Sequence, residues 1–152
     1  MGGNSFIVIG SMSNQVTPTL QASVICEDVR QEVNNMLSLI GVLSVIPAAK
    51  VPVGVLKLCV WSRWTNGSGR FQQEARILAP DNKTVVAEAK VDFELKNVNS
   101  HATNVNFFAG VQFKEFGLHH VEILLGGKQV ARYPLVIAQV QQPQPQSAPA
   151  SN

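Results

Sequence analysis

From Val85 to Lys96 the sequence alternates residue by residue. Val85, Ala87, Ala89, Val91, Phe93 and Leu95 fall on one side, and Val86, Glu88, Lys90, Asp92, Glu94 and Lys96 on the other. Side chains of a strand point alternately to its two faces, so this spacing gives one apolar face and one wet face. A helical period would mix the two sets. The same period of two recurs along the chain. It predicts strands at Leu20–Cys26, Met36–Ile46, Val55–Thr65, Phe71–Ala79, Thr103–Phe113, Leu118–Leu125 and Lys128–Ala138. In Thr103–Phe113 the inward set reads Val105, Phe107, Ala109, Val111 and Phe113. In the last strand it reads Ala131, Tyr133, Leu135 and Ile137.

Turn chemistry separates these segments. Asn34-Asn35, Asn66-Gly67-Ser68-Gly69, Pro80-Asp81-Asn82-Lys83 and Gly126-Gly127 each supply residues that tolerate tight or left-handed backbone. Spacing slips between Cys26 and Val29, which predicts a bulge or irregular turn around Glu27-Asp28. Pro134 cannot donate to a ladder, so its strand is expected to lie at a sheet edge there. About eight strands without a long helix give an all-β fold, a two-sheet antiparallel sandwich of immunoglobulin-like or C2-like type. Residues 18–138 form this domain. An N-terminal arm, 1–17, precedes it, and a Pro/Gln-rich tail, 139–152, has too little apolar content to order itself.

Charged residues make up only 14% of the 152, against about 25% in an ordinary domain. The net charge is +2, and the cations from Arg30 to Arg132 form no stripe. A nucleic-acid partner needs a clustered basic footprint, so none is expected. No apolar run approaches the length of a membrane helix, so no membrane insertion is expected. The first residues lack a charged n-region, and the Phe6–Ile9 run is too short for a signal sequence. A cytoplasmic location follows as the expectation, including a role as a component of a phage or other assembly. Cys26 and Cys59 sit in apolar surroundings and read as buried free thiols, with a bridge between them as the open alternative.

Cys26-Glu27-Asp28-Val29-Arg30, then Glu32, Asn34 and Leu37-Ser38-Leu39-Ile40-Gly41, resembles the opening signature of a family of small bacterial β-sandwich domains of unknown function. Glu115-Phe116-Gly117, Val121 to Leu125, Gly127 and Pro134-Leu135 are similar to its C-terminal part. The resemblance implies a β-sandwich and a bacterial or phage-related source, and it implies no activity.

Catalytic and metal chemistry find little support. His119 and His120 are adjacent and point to opposite faces of a strand, while His101 lies in a polar stretch, so no metal site is expected. Glu88, Asp92 and Glu94 share a face with Lys90 and Lys96, as on a solvated strand. No nucleophile motif or phosphate loop is present. The chain is therefore expected to be no enzyme, to need no cofactor, and to act as a structural or protein-interaction module in a homo-oligomer or larger assembly. Two surfaces stand out. Met36–Ile46 is apolar on both faces, with Met36, Ile40 and Val42 on one and Leu37, Leu39, Leu43 and Val45 on the other. The second set is the candidate surface for docking on self or another protein. Trp61, with Lys57 and Arg63 on the same side of its strand, is a candidate ligand platform, and carbohydrate is the alternative partner.

Overall fold

A computed structural model describes residues 15–142 and Pro145. They form nine strands: β1 Thr19–Gln31, β2 Leu37–Val42, β3 Val45–Ala48, β4 Val53–Thr65, β5 Gly69–Leu78, β6 Val85–Leu95, β7 His101–Phe113, β8 Gly117–Leu125 and β9 Lys128–Gln139. One sheet has the order β2-β1-β4-β7, and the other β3-β9-β8-β5-β6. The expected two-sheet all-β sandwich is present. One pairing departs from an all-antiparallel scheme, since β3 runs parallel to β9. Most of the tail and residues 1–14, including Phe6–Ile9, lie outside the described residues.

The ninth strand arises because the expected single strand Met36–Ile46 is two. β2 pairs with β1, whereas β3 crosses to the second sheet beside β9. Leu43, between them, packs against the core, and its amide donates to the Ile25 carbonyl at 2.8 Å. Leu37, Leu39, Leu43 and Val45 therefore do not share a face. The apolar content on both parities reflects a chain that changes sheets.

The core lies between the sheets. Ile25, Leu58, Val60, Trp64, Phe108 and Phe113 meet Ala75, Ile77, Val121, Ile123, Leu135 and Ile137, all buried. Burying each large aliphatic or aromatic group contributes roughly 1.5–3 kcal/mol before chain entropy is counted. At the heart of the core is a polar knot. Trp64 Nε1 donates to Gln73 Oε1 at 2.6 Å, Asn104 Nδ2 donates to the same oxygen at 3.1 Å, and Gln73 Nε2 donates to Asn106 Oδ1 at 2.6 Å. All four residues are buried.

The knot inverts the expected face of β7. Asn104, Asn106 and Phe108 point into the core, so Val105, Phe107 and Ala109 point out, and Phe107 is 56% exposed. Polar side chains turn inward here because each finds a partner there. Phase is restored at Gly110, whose φ of +62° suits glycine, and Val111 and Phe113 are again buried. β4 shifts phase opposite, at Leu56-Lys57, so the ladder continues from Lys57↔Ala109 to Val55↔Val111 in register. Leu56, which shares its alternating set with the buried Leu58 and Val60, is 91% exposed for that reason. A smaller irregularity opposite Ile77/Leu78 turns Val86 inward and Val85 outward at the start of β6.

The turns behave as their residues dictate. Asn34 and Asn35 both adopt positive φ, as do Gly126 and Gly127. β3 begins to pair with β9 at Val136, leaving Pro134 at an open edge as expected. Asp81 closes the β5–β6 turn by accepting from Thr84 Oγ1 and from the amides of Thr84 and Lys83. Those bonds, the Thr84 hydroxyl foremost, hold its carboxyl at about 2, below the ordinary 3.8. A carboxyl depressed in the folded state stabilises it above pH 3.8, and that stabilisation disappears as pH falls through about 2. The thermal midpoint of the wild type is expected to fall more steeply than that of Asp81→Asn between pH 4 and pH 2. Parallel slopes in calorimetry would remove this contribution.

Candidate functional site

The β1–β2 hairpin builds the most distinctive surface. Val24 is paired with Trp61, and at about 3.3 Å per residue a straight β1 would carry Gln31 about 23 Å onward, level with Gly54. Gln31 instead lines one groove with Trp61, Arg63, His101 and Thr103, at the opposite end of β4 and β7. The hairpin is therefore bent back over the outer face of its own sheet. The bend falls at Cys26, which is the last residue of β1 paired with β4 and the first paired with β2. This is where the sequence spacing slips.

The bend explains both thiols. Cys26 and Cys59 face each other across β1 and β4 on the outer face, yet both are fully buried and unbridged. Cys26 Sγ donates to the Asp28 carbonyl at 3.4 Å, and Cys59 Sγ to the Glu27 carbonyl at 3.9 Å. Burial pushes the Cys26 thiol up to about 11. Lys57 secures the bend by pairing with the Asp28 carboxylate, while its ammonium sits 5.3 Å from the centre of the Phe107 ring. Hydrogen bonding to Lys57 holds the Asp28 carboxyl below its usual value.

Of the three platform residues, Trp61 and Arg63 come together and Lys57 does not line their groove. Trp61 is half-buried beside Leu37 and Leu39, so its ring is not an open platform. The groove has a volume of about 540 Å³. Asn35 Oδ1 accepts from Gln31 Nε2 at 2.8 Å at its rim. Trp61 Nε1 and Arg63 Nε are shut off from solvent with no hydrogen-bond partner among the described residues. His101 and Thr103 also line the groove, although no spacing in the sequence groups them with Trp61. Only the folded-back hairpin does so.

Of the docking residues, Leu37 is exposed on β2, Leu39 is half-buried in the groove, Leu43 packs on the core and Val45 is exposed on β3. Sequence reasoning missed Val33, 82% exposed, and Met36, 63% exposed, as members of one apolar tip with Leu37. A second cavity, about 730 Å³, opens between the edge strands β6 and β7 and is lined in part by Val86, Phe108, Val111, Lys114 and His119. His119 is engaged there, with Nδ1 3.1 Å from the Gly117 carbonyl and its ring edge-on to Phe113. No group of three or more His, Cys, Asp or Glu among the described residues could hold a metal ion. No helix among them is long and apolar enough to cross a membrane.

The model of a family described as of unknown function, DUF6941, matches residues 21–138. No curated protein matches the chain. Solved structures similar to it include a β-glucosidase from Listeria innocua in complex with isofagomine, at 8% identity and a TM-score of 0.41, covering 82% of this chain and 17% of that one. The glucose complex of the same enzyme is similar at 10% identity and 0.41, over 80% and 16%. This chain spans under a fifth of the length of those enzymes, and nothing about activity follows from likeness at that level.

Proposed function

We propose that this chain, which belongs to DUF6941, a family of unknown function, is a non-catalytic interaction module that assembles with a second copy of itself through the free edge of β2. The carrying observation is the lack of protection on that edge among the described residues. Among them, β2 is the outermost strand of its sheet. Exposed strand edges are usually guarded by charges, proline or short length, because unpaired amides and carbonyls invite another strand. From Val33 to Pro47 no charged residue occurs, and the proline comes only after β2 has ended. Val33, Met36, Leu37 and Val42 are all exposed along this segment.

Two β2 strands related by a two-fold axis would pair antiparallel, continuing one sheet into the other and bringing the apolar tips onto the partner. Burying four such side chains would contribute roughly 1.5–3 kcal/mol each, against about 4–15 kcal/mol lost on association. Assembly should thus depend on concentration. Light scattering after size exclusion is expected to show wild type rising toward twice the 16.5 kDa chain mass as it is concentrated. Leu37→Lys combined with Val42→Lys should stay monomeric. A wild type that remains at one chain mass throughout would count against the proposal and favour cover of the edge by another segment or protein.

A further inference from the structure

We infer that the groove beneath the folded-back hairpin is a binding site for an aliphatic carboxylate, independently of whether β2 pairs with a second copy. The inference starts from two donors. Trp61 Nε1 and Arg63 Nε are buried without an acceptor among the described residues. A buried donor left unpaired costs about 1–3 kcal/mol, so two on one strand face require an explanation. They lie two residues apart on β4, hence on the same face and roughly 7 Å apart along the strand. Thr103 is the cross-strand partner of Arg63, and His101 follows two residues away on the same face of β7. Asn35 uses its oxygen for Gln31, which leaves its amide hydrogens as what it presents.

Among the described residues the lining is rich in donors and holds no carboxylate, and the adjoining hollow between Arg63, Asn66, Asn99 and His101 holds none either. What such a groove lacks is an acceptor with negative charge, and an incoming ligand reaches Trp61 Nε1 and Arg63 Nε, both closed to solvent, by displacing the side chains that cover them. Arg63 is its one permanent cation among the described residues, which suits a single carboxylate better than a phosphate dianion, since burying a charge requires close compensation. Leu37, Leu39 and the Trp61 ring supply an apolar wall for the methylene stem. The carboxylate could belong to a free small acid or to an acidic side chain of a peptide, and the chemistry of capture is the same.

The chain has only two tryptophans, which makes the test self-controlled. Trp64 Nε1 is bonded to Gln73 in the core and reports whether the fold is intact. The two indole N–H resonances of nitrogen-15-labelled full chain would be followed during titration with sodium glutarate and, separately, with a capped tripeptide carrying a central glutamate. The Trp61 signal, identified by its loss in Trp61→Phe, is expected to shift saturably with at least one probe while Trp64 stays still. Response to glutarate alone assigns a free acid, and response to the peptide assigns a side chain. Arg63→Gln should weaken the response about tenfold or more, with Arg63→Lys intermediate. An unmoved Trp61 signal with both probes overturns the inference. So does an equal shift in a folded Arg63→Gln protein, or a response confined to phosphate or to neutral maltose.

Discussion

Gln73→Ala is expected to lower the thermal unfolding midpoint by about 10–20 °C. The substitution would strand the Trp64 indole N–H, the Asn104 amide and the Asn106 oxygen in the core, all of which Gln73 now satisfies. Each orphaned buried group costs roughly 1–3 kcal/mol, and a domain of this size is stable by only about 5–15 kcal/mol in total. The neighbouring residue provides the contrast. Gln72 is exposed and bonded to Asp92, so Gln72→Ala should change stability by no more than about 0.5 kcal/mol. Differential scanning calorimetry on the two variants decides it. Equal midpoints would show that the knot contributes nothing.

A second large effect is expected at Phe113 and not at Phe107, although the two occupy the same alternating set in the sequence. Phe113 is fully buried and meets the His119 ring edge-on at 5.2 Å. Phe113→Ala should destabilise by about 3–5 kcal/mol through lost burial and a cavity. Phe107 lies on the solvent side beneath Lys57, so Phe107→Ala should cost about 1 kcal/mol or less. Chemical denaturation of both variants tests the phase shift at Gly110 directly. Comparable losses would put Phe107 in the core and remove the shift.

That pair also marks where sequence reasoning works and where it stops. Regular alternation with a charged outer face, as in Ala87 to Leu95, locates a strand and its inner face because burial of apolar groups dominates. β7 reads backwards because a buried asparagine is tolerated once it is bonded, and those bonds reach across to Gln73 in the other sheet. No local spacing reveals a partner 31 or 33 residues away. Met36–Ile46 was apolar on both parities, which fits an exposed patch or a strand buried twice over. A strand that breaks at Leu43 and changes sheets has the same pattern. Trp61 and Arg63 were legible as neighbours on one face, since strand period alone joins them. Their groove was not, because it depends on a bend whose only trace in the sequence is the slip after Cys26.

Hydrogen exchange at β2, measured across a concentration series, tests the central claim most directly. Alternate amides between Leu37 and Val42 point away from β1 toward the open edge. If two copies pair there, those amides are expected to be protected in concentrated solution and to exchange freely on dilution, while the amides facing β1 stay protected throughout. Fast exchange of the outward amides at every concentration would contradict edge pairing. Protection that is independent of concentration would contradict it equally, by showing that the edge is covered within a single chain.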